Sequence, residues 1–173
     1  METEELIEVG KEAHGPGQRL IGVTMAIAAA FLAMVTLMGH RLHTEDVVMQ
    51  TKAADGWAYF QAKNNRSHMY ATDAKLAELT GAAAAPPLVE EWTKKAKEER
   101  EQADDIRKET ERLDHETEGT AHRATLFDLS EIGLEVGIVL CSVALLTGSS
   151  AFWGVSFVPM AIGLLVAAYG LTR

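Results

Sequence analysis

Glu135 is the residue whose type and place most call for chemistry. It lies about one turn inside an apolar run that begins at Ile132, where a carboxylate costs a few kcal/mol unless it is paired, protonated or near the interface. Glu131 precedes it by four residues, so the two carboxylates share one helix face. His40, Arg41 and His43 close an earlier apolar run, and they stand beside Glu131 and Glu135 if the two runs are neighbouring helices. Three chemistries are open to such a set: an interfacial ion-pair cluster that fixes helix depth, proton or ion handling through Glu135, and a metal site. The histidines are spaced i,i+3 and the glutamates i,i+4, so ligands could converge, but two His and two Glu at a charged surface form a weak ligand set. The ion-pair cluster is the expected reading, with no metal and no cofactor.

Other chemistries have no foothold. The chain contains no GxxxxGK[ST], GxSxG, HExxH or CxxC pattern, which removes the usual signatures of nucleotide, hydrolase, zincin and redox function. No histidine lies in the middle of an apolar run, so axial ligation of haem or chlorophyll is not expected. The one cysteine, Cys141, sits inside an apolar run, where a thiol behaves as a small apolar residue. A net charge of −9 argues against nucleic acid as a partner. The chain is therefore expected not to be an enzyme.

The elements that position these residues follow from how charge is distributed. At 47% hydrophobic and 24% charged, the composition matches an average soluble protein. Yet residues 41–131 hold 13 of the 16 Lys+Arg and 19 of the 25 Asp+Glu, and the apolar residues crowd into two flanking blocks. Leu20 to Gly39 carries no charge, and about 20 residues at ~1.5 Å each give the ~30 Å of a bilayer core. The second block is broken at Thr147-Gly148-Ser149-Ser150, which reads as two spans joined by a turn, with Pro159 a kink in the second. The expected order is an acidic tail over 1–19, transmembrane helices over 20–40, 132–148 and 152–171, and an extramembrane segment over 41–131. A cleavable signal peptide is not expected, because Glu2, Glu4, Glu5, Glu8 and Glu12 face only Lys11 and Arg19 before the first span.

Within 41–131 the only strong break is the stretch 81–87, from Gly81 through four alanines to Pro86 and Pro87. Two proline-free arms of about 60–66 Å would form an antiparallel helical hairpin that returns the chain to the same membrane surface. In the return arm Trp92, Ala96, Glu99, Ala103, Ile106, Thr110, Leu113, Thr117, Thr120, Ala124 and Phe127 follow steps of four and three, the 3.5-residue period of a coiled coil. The outgoing arm offers Ala53, Trp57, Phe60, Asn64, Ser67, Ala71 and Ala74, and its polar centre, Asn64 to His68, is expected either to pack poorly or to await a partner. Glu90/Lys94, Glu91/Lys95 and Asp104/Lys108 are expected ion pairs off the seam. In the second span Gly133 and Gly137 form a small-xxx-small pair that admits another helix closely.

The run Ala54-Asp55-Gly56-Trp57-Ala58-Tyr59-Phe60-Gln61-Ala62-Lys63, followed by His68-Met69-Tyr70, resembles the most recognisable block of an uncharacterised bacterial family of small membrane proteins known only as a domain of unknown function. Its members carry a Trp-Ala-Tyr-Tyr-Gln-Ala-Lys-like block, and Gly56 and Phe60 depart from the residues expected there. The resemblance covers nearly the whole chain and implies one span, a long helical hairpin, a charged return helix and two final spans. It also implies a bacterial inner-membrane location and no catalytic residues.

The functional expectation is a non-catalytic scaffold or accessory subunit of a larger inner-membrane assembly, for example a respiratory or photosynthetic complex. Membrane lipid and either other membrane subunits or further copies of the chain are its partners, through Trp57, Phe60, Trp92, Gly133 and Gly137. The alternative is a homo-oligomeric ion-conducting or proton-handling protein that uses Glu135. Lys and Arg near the span ends favour the far side of the first span, with Arg41, Lys52, Arg123 and Arg173 against Lys11 and Arg19, so a cytoplasmic hairpin is expected.

Overall fold

Proline occurs only at 16, 86, 87 and 159, and three of the four stand in the first turn of a helix. There a missing N–H costs nothing, because first-turn donors have no intrahelical acceptor. The computed structural model describes residues 16–81 and 85–172. They form three α-helices and no strand: α1 (Pro16–Thr80), α2 (Ala85–Thr147) and α3 (Ser150–Thr172). The acidic residues Glu2 to Glu12, residues 82–84 and Arg173 lie outside the described residues.

All three helices are long and apolar enough to cross a membrane. The sequence boundaries at 40/41 and 131/132 are changes of polarity within α1 and α2, not helix ends. The expected break over 81–87 is narrower than drawn. Gly81, with φ of 62°, ends α1 in the left-handed conformation that favours glycine, and its N–H reaches Glu78 O at 3.3 Å. Pro86 and Pro87 then open α2. Gly148, with φ of 66°, makes the short turn between α2 and α3.

The chain divides into two units, one made of residues up to Thr44 with those from Thr120 onward, the other of Glu45–Gly119. In the first unit Ile21, Ala28, Val35 and Leu42 are buried on α1, and Phe127, Leu134 and Cys141 on α2, each series spaced by seven. On α3 the buried residues Ser156, Met160, Gly163, Ala167 and Gly170 step by four and three. The larger apolar side chains face outward, among them Leu20, Val23, Ile27, Val139 and Leu165. Small residues inside and large ones outside is the arrangement of helices that pack closely in lipid.

In the second unit Ala53, Ser67 and Ala74 of α1 and Ala103, Thr110 and Thr117 of α2 are buried. Every residue of both seams expected from the sequence is buried or half-buried. Contacts made later along α1 fall earlier along α2: Gly56 lies against Thr110, Lys63 against Gln102 and Ser67 against Ala96. Within this unit the two segments therefore run in opposite directions. A methyl group on Gly56 would overlap Thr110 Oγ1 and sit 3.2 Å from Thr110 Cγ2, so this crossing needs glycine.

Candidate functional site

The charged residues at the ends of the apolar segments are divided into pairs. Thr36 Oγ1 donates to Glu131 Oε1 at 2.8 Å. His43 Nε2 lies 3.0 Å from both carboxylate oxygens of Asp128, with both side chains about half exposed. His40, Arg41 and Glu135 are exposed, and none has an ion pair or side-chain hydrogen bond with a described residue. Among the described residues none of the five that the sequence grouped pairs with another of them. Glu131 and His43 each take a different partner, and Glu135 faces outward between the exposed Ile132 and Val139. The partner missed in the sequence is Asp128, although it lies three residues before Glu131 and so near the same face. Among the described residues no three His, Cys, Asp or Glu side chains come together to hold a metal ion.

Gly133 and Gly137 lie where α2 meets α3. A Cβ on Gly133 would stand 2.8 Å from Pro159 O and 3.0 Å from Gly163 Cα, and one on Gly163 would stand 2.7 Å from Ser130 O. One on Gly137 would overlap Met160 and come within 3.1 Å of Ser156 O. Ser130 Oγ uses this proximity to donate to Gly163 O at 2.7 Å, and Cys141 Sγ lies 3.1 Å from Ser156 Oγ. Ser130, Cys141 and Ser156 are fully buried. Each hydroxyl is satisfied, which is what makes its burial tolerable. The α1 side is looser: Trp153 Nε1 of α3 reaches Thr24 Oγ1 at 3.4 Å, and farther along α1 a Cβ on Gly39 would meet Phe127 Cβ at 3.5 Å.

The second unit holds a polar layer that the sequence did not resolve. Lys63 is buried in the seam, with its Nζ 2.6 Å from Gln102 Oε1 and 3.1 Å from Glu99 Oε2. That glutamate oxygen is buried and accepts no well-aligned hydrogen bond, so ion pairing with Lys63 is its compensation. Arg66 Nε approaches the same oxygen at 3.9 Å, and Arg100 donates to Asn64 Oδ1 at 2.7 Å. Ser67 Oγ donates to Ala96 O at 2.8 Å. The stretch Asn64 to His68, expected to pack poorly or to await a partner, is thus joined to α2 within the unit. Trp57 Nε1 donates to Asp114 Oδ2 at 3.0 Å, and its ring stands edge-on to Phe60 at 5.7 Å. Trp92 is half-buried in the α2 seam.

On the outer face of α2 the ion pairs follow helix spacing. Lys95 binds Glu91 at 2.6 Å as expected, whereas Lys94 turns to Glu98 and Lys108 to Asp105. The hydrogen bond to Glu91, and then its charge, raises the Lys95 pKa above the ordinary lysine value. Arg112 lies between Glu109 and Glu116; its hydrogen bond holds the Glu109 carboxyl below the usual carboxylate range, and the Arg112 pKa is raised in return.

No curated protein and no solved structure matches the chain. A family model does, and it takes in all three helices: by its match to residues 17–173, the chain belongs to the family described as Domain of unknown function (DUF4337).

Proposed function

We propose that the protein is a non-catalytic scaffold or accessory subunit of a larger bacterial inner-membrane assembly. Its three apolar helical segments anchor it, and a helical hairpin formed by the facing parts of α1 and α2 presents a binding surface in the cytoplasm. The observation that carries this reading is the placement of apolar side chains in the charged second unit. Met69, Leu76 and Leu79 are each more than 60% exposed, and their spacing of seven and three puts them on one face of α1. Lipid contact accounts for exposed leucines in the first unit but not here, where the surroundings are charged. A protein partner, either another subunit or a second copy, is what such a stripe fits. The buried polar layer fixes how the two helical segments face each other, a known use of polar groups in coiled-coil seams. Purification in mild detergent from native membranes tests the reading. Co-purifying subunits, lost in a Met69→Glu/Leu76→Glu variant that remains folded, are expected; a stable, sharply monomeric species without associated proteins would reject it.

Glu135 favours a second reading. Its carboxylate points outward from an apolar stretch and has no partner among the described residues, so in a ring of copies it could line a cation pathway. In reconstituted vesicles that pathway conducts, and Glu135→Gln changes its ion selectivity. A stable oligomer without conductance would end this alternative.

A further inference from the structure

In the first unit α1 and α3 leave an apolar groove between them. One half is lined by Thr24, Ile27, Phe31, Phe157, Met160 and Leu164 among others, the other half by Phe31, Met38, Phe127, Leu164, Ala168 and Leu171 among others, and each encloses about 340 Å³. Phe31 and Leu164 line both halves, so the two adjoin along the helices. From Thr24 to Met38 it runs about 21 Å at ~1.5 Å per residue, more than the ~15 Å of one leaflet of a ~30 Å hydrocarbon core. Its buried floor is Phe127 and Leu134 of α2.

The two ends differ. At one, Trp153 of α3 hydrogen-bonds Thr24 of α1. Beyond the other, along the helices, come two arginines: Arg41 is three residues beyond Met38 on α1, and Arg123 is four residues before Phe127 on α2. Of the carboxylates around them, Asp128 is engaged with His43 and Glu131 with Thr36, while on α1 Glu45, four residues beyond Arg41, pairs with no described residue and Asp46 Oδ1 is buried without a hydrogen-bond partner. Neither arginine has a hydrogen bond or ion pair with a described residue, and Arg123 Nε is buried without an acceptor. An unsatisfied buried donor on a permanent cation is costly.

We propose that this groove is a binding site for one anionic phospholipid, with an acyl chain lying over Phe127 and Leu134 and the phosphate held by Arg123 and Arg41. A phosphate supplies the acceptors that Arg123 lacks and matches a planar guanidinium well, while the apolar walls explain why the occupant is a lipid and not free phosphate. The inference rests on membrane insertion of the three helices, not on the scaffold role, and alkaline-carbonate extraction of native membranes tests insertion separately.

The binding test is native mass spectrometry of the full-length protein released from nanodiscs of phosphatidylcholine containing phosphatidylglycerol. One phosphatidylglycerol per chain should survive activation that strips phosphatidylcholine. Arg41→Gln/Arg123→Gln should lower its retention about tenfold, Arg123→Lys should restore part of it, and Ala168→Trp, which fills the groove, should abolish it while circular dichroism stays helical. Equal retention of the two lipids, or retention unchanged in the arginine variant, would overturn the site. A dimer without lipid would also overturn it, since a second copy would then occupy the groove.

Discussion

Lys63 shows what one side chain can decide in a thin seam. Ala53, Ala74 and Ala103 bury little apolar area along this seam, so a single poorly compensated polar group weighs heavily there. The Lys63 and Glu99 side chains are only 10% and 17% exposed, and loss of the lysine leaves buried Glu99 Oε2 with only the more distant Arg66, at 3.9 Å, to offset its charge. Lys63→Met is therefore expected to cost about 2–3 kcal/mol, somewhat below the ~3–5 kcal/mol for breaking a fully buried pair. The double variant Lys63→Met/Glu99→Leu should recover most of the loss, as read from thermal melts of the helical circular dichroism signal in detergent. If the double variant is no more stable than the single one, the pair is not what holds this layer. The seam itself was legible, because steps of four and three mark buried positions whatever fills them. The pair was not: a buried lysine makes sense only opposite Glu99, and the offset of one helix against the other cannot be read from either strand of sequence. Asp114, the acceptor for Trp57, was hidden for the same reason.

Helix ends are legible at the scale of elements because few residues make them. Gly81 and Gly148 adopt the left-handed conformation, and Pro86 with Pro87 can only begin a helix, not continue one unperturbed. The close contact of α2 and α3 rests on Gly133 and Gly163, whose neighbours are backbone atoms and cannot rotate away. Gly163→Leu should therefore separate the two helices and lower the melting temperature by several degrees, whereas Gly154→Leu, with nothing within 4 Å of its Cβ position, should be near neutral. Equal effects of the two would refute close backbone packing. Charge pairing was less legible, since i,i+3 and i,i+4 alternatives differ by only tenths of a kcal/mol, and Lys94 and Lys108 took the partners not expected. The Glu109–Arg112 pair has a signed pH dependence. The Glu109 pKa is lowered from 4.5, so its contribution is present above that value and disappears as pH falls through the lowered one. The stability difference between wild type and Glu109→Gln should accordingly be small but measurable at pH 7 and vanish in acid. A difference that does not shrink as the pH is lowered from 7 into acid would contradict this assignment.

For the whole molecule, apolar blocks at both ends of a charged middle made helices apolar enough to cross a membrane legible, while the proposed function was not, because on that proposal it lies in surfaces that only a partner completes. Topology decides which partners can reach those surfaces. Arg41, Lys52 and Arg123 outnumber Lys11 and Arg19 near the span ends, and on the positive-inside rule this would retain the proposed hairpin in the cytoplasm. Counting crossings would then put the start of α1 across the membrane and return the end of α3 to the hairpin's side. The opposing consideration is length: a loop longer than about 60 residues can be exported whatever its charge, and 41–131 exceeds that. Single cysteines decide between the two in a Cys141→Ala background, since Cys141 is the only native thiol. Leu79 is 83% exposed, and Gly17 has nothing within 4 Å of its Cβ position, so Leu79→Cys and Gly17→Cys should both react freely wherever reagent reaches them. On intact spheroplasts an impermeant maleimide is expected to label position 17 and spare position 79, with both labelled after lysis. Labelling of position 79 alone before lysis would reverse the orientation and move the search for a partner of Met69, Leu76 and Leu79 to the outer face of the membrane.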